Sequence, residues 1–181
     1  MRILKNSLLF SVLILFISCT SSDDTIIVDT SASASDLVGT WKLTEESQKG
    51  TISTTFNNIP VNGDITSTGK NLNTQIIFTE NPNNFTANGS YTDVIKFSIV
   101  GQSMAQQEVT IPISDFINQG SWSLNQGILT TTQNNEQLDV RIVELTSNSL
   151  IIEIDIEDEQ VDYQEFSGTV NTTIKMTFTK Q

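Results

Sequence analysis

Residues 150–158, LIIEIDIED, decide the fold. Leu150, Ile152, Ile154 and Ile156 fall on one side of an extended chain, and Glu153, Asp155 and Glu157 fall on the other. A period of two marks a half-buried β-strand, because successive side chains point to opposite faces of a sheet. The rhythm recurs in 173–180, TIKMTFTK, where Ile174, Met176 and Phe178 oppose Lys175, Thr177 and Thr179. It recurs again in 90–101, SYTDVIKFSIVG, where Tyr91, Ile95 and Phe97 oppose Thr92, Lys96 and Ser98. Turn-forming residues separate such runs: Asn81-Pro82-Asn83-Asn84, Asn88-Gly89, Asn125-Gln126-Gly127 and Ser147-Asn148-Ser149. Short polar turns between closely spaced strands predict an antiparallel meander, since parallel strands need long crossovers. The reading is an all-β domain of about eight to ten strands. Only Ile113 to Gln119 offers a turn of helix. A meander of this length leaves two edges unless it closes into a barrel.

Composition agrees. Charged residues are 17% of the chain, prolines number only three, and threonine and β-branched residues are plentiful, as strands prefer. Twenty-one acids face nine bases, for a net charge of −12. Such a polyanion repels nucleic acid, whose recognition needs basic patches, and it does not adhere electrostatically to anionic lipid. The chain has no histidine. That removes histidine-based acid–base catalysis, the Ser-His-Asp triad, Cys-His nucleophiles and His-ligated zinc, copper or iron. No Gly-x-Ser-x-Gly elbow and no phosphate-cradling glycine loop is present. No catalytic residue, cofactor or metal ligand is assigned, and the protein is read as a non-enzyme.

The single cysteine, Cys19, sits in an informative place. Arg2 and Lys5 precede an apolar run from Leu8 to Ile17 that is too short for a comfortable membrane-spanning helix. Phe16-Ile17-Ser18-Cys19 resembles the lipobox of bacterial lipoproteins, with Phe16 where that family prefers leucine. The resemblance implies a lipoprotein signal peptide over 1–18 and acylation of Cys19, which would become the first residue of the mature chain. Several acyl chains hold a protein firmly on a membrane, and acylation also disposes of an otherwise unpaired thiol. Thr20-Ser21-Ser22-Asp23-Asp24 resembles the acidic export tag of surface lipoproteins of the Bacteroidetes. It implies an outer-membrane anchor with outward display. Residues 19–36 read as a flexible acidic tether, and the folded domain as 37–181.

Within 37–181 a second resemblance appears. LVGTWKLTEE (37–46), with Gly39-Thr40-Trp41, resembles the first strand of lipocalin-like proteins. IIFTENPNNFTANGSY, GSWSLNQGILTTT and VRIVELTSNSLIIEI follow in the order found in small lipocalin-like domains of Bacteroidetes lipoproteins. The family implies an up-and-down, closed β-barrel. In true lipocalins a basic residue caps the first-strand tryptophan; no base in the sequence is identified as that cap, and there is no disulfide.

Two features are weighed as sites. Trp41 and Trp122 are expected to fill the core, the alternative being a cavity lining. Residues 153–165 hold seven acids and no base, but they lack the spacing and glycine of a calcium loop, so a solvated face is expected. The expected function is a lipid-anchored envelope protein whose barrel mouth takes one small apolar molecule. The competing expectation is an accessory protein with a filled barrel that docks another envelope component.

Overall fold

The computed structural model describes Asp29 and residues 31–56, 59–99, 102–103, 106–163 and 166–181. The signal peptide, Cys19 and the tether as far as Val28 lie outside the described residues. Twelve strands are described: β1 (Gly39–Phe56), β2 (Ile59–Lys70), β3 (Gln75–Thr79), β4 (Asn84–Asn88), β5 (Ser90–Ile99), β6 (Gln102–Ser103), β7 (Gln107–Pro112), β8 (Gln119–Asn125), β9 (Ile128–Gln133), β10 (Glu136–Leu145), β11 (Ser149–Tyr163) and β12 (Phe166–Lys180). A four-residue helix, α1 (Ala34–Leu37), precedes β1. The helical turn expected near Ile113 is a single 3₁₀ turn, Ile113–Asp115.

Eight strands form a ring in the order β1-β3-β4-β8-β9-β10-β11-β12, every neighbouring pair antiparallel, and β12 returns to β1. The closing seam is long, running from Trp41↔Lys180 to Thr54↔Gly168. Closure pairs the edges that an open meander would leave exposed. The expected all-β barrel is therefore present, with its hairpins set by the turn residues. Gln126 and Gly127 both adopt positive φ between Asn125 and Ile128, as a two-residue hairpin needs. Asn134 and Asn135 do the same between β9 and β10.

The other four strands build a wing. β1 is eighteen residues long, and only Gly39–Lys42 pair with β3. From Ser47 onward its neighbour on that side is β2, which pairs in turn with β5; β5 pairs with β7 and the short β6. The chain leaves the barrel for the wing at Gly89, where φ is +94° and an added Cβ would lie 1.8 Å from the carbonyl oxygen of Asn73. Only glycine tolerates that backbone and that approach. The wing has its own small core of Ile52, Ile65 and Val170, with Ile95 and Phe97 against it.

The floor of the barrel is closed. Trp41 is fully buried and its indole Nε1 donates to the Leu37 carbonyl at 2.7 Å. The Lys180 ammonium stands 5.1 Å from the centre of the Trp41 ring and donates to the Asp36 carbonyl at 2.9 Å. This cation over an aromatic face is the cap that the sequence left unplaced. Trp122 also faces the floor: its Nε1 lies 2.9 Å from the Thr79 carbonyl and 3.1 Å from that of Asn84, and its ring meets Phe78 edge-on at 6.0 Å. Both tryptophans are core residues with satisfied N–H groups. Asp29 docks at the same end. Its N–H donates to the Ile142 carbonyl, and its carboxylate accepts from the Leu145 N–H and from Ser31. The Ser31 hydroxyl and then the Leu145 N–H hold that carboxyl below the usual range.

Candidate functional site: an apolar barrel interior

Above the floor the barrel is hollow. A cavity of about 280 Å³ lies among Phe78 and Phe85, Leu129 and Val140, Leu150, Ile152 and Ile154, and Ile174, Met176 and Phe178. Tyr91, Ile113 and Ile117 border it from the wing and the linker. The lining follows from the alternation: Leu150, Ile152, Ile154 and Ile156 all face it, as do Ile174, Met176 and Phe178 of β12. Thr131 and Asp155 are the polar exceptions besides the Tyr91 phenol. An interior of this chemistry gives water too few partners, so it stays dry or takes an apolar guest. Its volume is roughly twice that of an engineered cavity of ~150 Å³ that admits benzene.

The acidic run is anchored by a base from a neighbouring strand. Arg141 on β10 donates to Asp155 at 2.7 Å and to Glu153 at 2.8 Å. Thr173 donates to the other Asp155 oxygen at 2.7 Å. Arg141 and then Thr173 hold the Asp155 carboxyl below its ordinary value. The same two carboxylates raise the Arg141 guanidinium. Among the described residues, no group of three or more acids gathers into a metal-binding set.

Two carboxyls lie inside, where the sequence analysis singled out none. A bulge between Leu43 and Glu45 shifts the phase of β1, so that Glu46 rather than Glu45 turns inward, opposite the cavity-lining Met176. Asp93 on β5 shares the inward face with Tyr91. Glu46 is 5% exposed and Asp93 4%, and one oxygen of each, Oε2 and Oδ1, has no hydrogen-bond partner. Burial, reinforced by the Asp93 charge, pushes Glu46 up to about 7. Burial also raises Asp93, against the opposing hydrogen bonds from Ser67 and the Val94 N–H. The Tyr91 phenol is pushed up by burial, then by Glu46 and Asp93. The carboxyl pair thus sits at the junction of barrel and wing, close enough to the cavity-lining Tyr91 for both charges to act on its phenol.

A family model described as a lipocalin-like domain matches residues 37–152. The chain belongs to the lipocalin-like domain family. No curated protein and no solved structure matches the chain. The match begins at buried Leu37 and ends within β11, so the strand that closes this lipocalin-like barrel, β12, lies beyond it. The lipidation expected at Cys19 lies outside the described residues.

Lys180, Arg141, Glu46 and Asp93 were not identified from sequence. Lys180 and Arg141 reach their partners only through strand pairing. Glu46 is brought inside by a bulge that leaves no mark in the alternation. Asp93 alone carried a signal, since it stands in phase with Tyr91 and Ile95 on β5.

Proposed function

We propose that this lipocalin-like protein is a lipid-anchored, non-catalytic protein of the bacterial cell envelope that holds one small apolar molecule inside its barrel. The cavity carries the reading: about 280 Å³ of space lined almost wholly by aliphatic and aromatic side chains. An accessory protein with a filled barrel would have no need to keep this space open, so the hollow interior favours the binder. The anchor is the acylated Cys19, and Thr20 to Asp24 supports display at the outer-membrane surface. Asp29 is held at the closed floor through Ile142 and Leu145. A lipidated Cys19 would therefore tether the domain to the membrane from its floor end.

Native mass spectrometry of the mature chain carrying Cys19→Ser tests the binding claim. The expected result is a bound small molecule, lost on organic extraction and replaced when the stripped protein is offered an apolar probe such as decanol. A clean apo mass together with no uptake of decanol overturns the reading.

A further inference from the structure

The cavity has a side opening. β10 and β11 pair only from Arg141↔Glu153 to Leu145↔Leu150. Beyond Arg141, β10 stays with β9 as far as Glu136↔Gln133, and β11 stays with β12 through Ile154↔Ile174 and Ile156↔Thr172. Continuing the β10–β11 register would set Asp139 directly across from Asp155 and Gln137 across from Glu157. Like charges directly opposite destabilise an antiparallel pair, so the strands part here. Asp155 shows the consequence. Its neighbours Ile154 and Ile156 face the cavity and alternation turns Asp155 outward, yet Asp155 also borders the cavity. Asp155 lies on the stretch of β11 that has no β10 partner. Phe116, at 57% the only exposed large hydrophobic among the described residues, also lines the cavity.

The charge at this seam is net negative. Asp139, Glu153, Asp155 and Glu157 outnumber the three bases near them: Arg141, bonded to Asp155 and Glu153, Lys175, across from Glu153 on β12, and Lys49, which borders a surface pocket with Asp155 and Glu157. The remaining Arg141 nitrogen, Nε, is buried. An incoming carboxylate would meet this net negative charge and would lose water besides.

We propose that the β10–β11 seam is the mouth of the cavity, where the head group of a bound ligand rests, and that its carboxylates favour uncharged or cationic apolar molecules over those that carry a carboxylate. This deepens the binding reading above and rests on it. The test is calorimetric titration of the mature Cys19→Ser chain with decanol, decylamine and decanoate near neutral pH and at low salt. Decanol and decylammonium are expected to bind, with decanoate roughly tenfold weaker and the gap narrowing at high salt. The exposed pair Asp139→Asn with Glu157→Gln is expected to recover about threefold or more of the decanoate affinity, leaving decanol unchanged. The remote exposed pair Glu45→Gln with Glu80→Gln is expected to recover none of it. Equal binding of all three probes, or equal recovery by the remote pair, overturns the proposal while leaving the binding reading intact. Failure of all three to bind overturns both.

Discussion

Trp41→Ala is expected to cost about 3–5 kcal/mol of folding stability, the largest loss from any single truncation on the barrel floor. The side chain is fully buried, joins α1 to β1 through the Leu37 carbonyl, and carries the Lys180 ammonium on its ring face. Removing it opens a void at the closed end and leaves the Leu37 carbonyl without that donor. The contributions separate by smaller changes. Trp41→Phe keeps much of the bulk but loses the N–H, which is worth about 1 kcal/mol. Lys180→Met removes the charge while keeping the stem that covers the ring, at about 0.5–2 kcal/mol. Urea unfolding followed by circular dichroism measures all three, and buried Trp122 remains as an independent fluorescence probe. A Trp41→Ala loss below about 1 kcal/mol would mean that the floor is not packed as described.

Glu46→Gln is expected to stabilise the protein in alkaline solution and to leave it nearly unchanged in mild acid. Glu46 rises from an ordinary 4.5 to about 7 in the fold, through burial first and the Asp93 charge second. A carboxyl whose folded value is raised favours the folded state only while protonated. The native state therefore holds its full advantage below about pH 4.5 and loses it as pH climbs toward 7. At about 1.4 kcal/mol per pH unit the ionised state is penalised by up to roughly 3 kcal/mol. Glutamine keeps the shape without the charge, so Glu46→Gln should gain about 1–3 kcal/mol at about pH 8 and change little at about pH 4.5. Urea midpoints of both proteins across that range give the difference directly. A gain of the same size at both ends, or a loss at high pH, would contradict the buried placement of Glu46 beside Asp93.

These two residues also mark what was legible in the sequence. Strand character was legible because a period of two survives in the residue order: Leu150, Ile152 and Ile154, then Ile174, Met176 and Phe178, line the interior as the alternation requires. The Asn125-Gln126-Gly127 turn was legible because positive φ has a chemical signature. The wing was not, since nothing in β1 tells where its partner changes from β3 to β2. Lys180 and Arg141 find Trp41 and the 153–155 acids through pairings set by the whole barrel. The cavity is further removed still. It depends on how much volume the inward side chains fail to fill, which no single strand records. The family resemblance of the first strand, the Gly-x-Trp pattern and the ordered hairpins was legible, and it extends to the domain match over 37–152.

The central claim is a closed eight-stranded barrel around an open apolar space. Diffraction from crystals pressurised with xenon tests it most directly, because xenon enters dry apolar cavities without needing a polar contact. The account predicts β12 paired with β1 along Trp41↔Lys180 to Thr54↔Gly168, and xenon density amid Phe85, Leu129, Ile152 and Met176. An interior packed solid by those side chains with no xenon bound, or a sheet left open between β1 and β12, would contradict it.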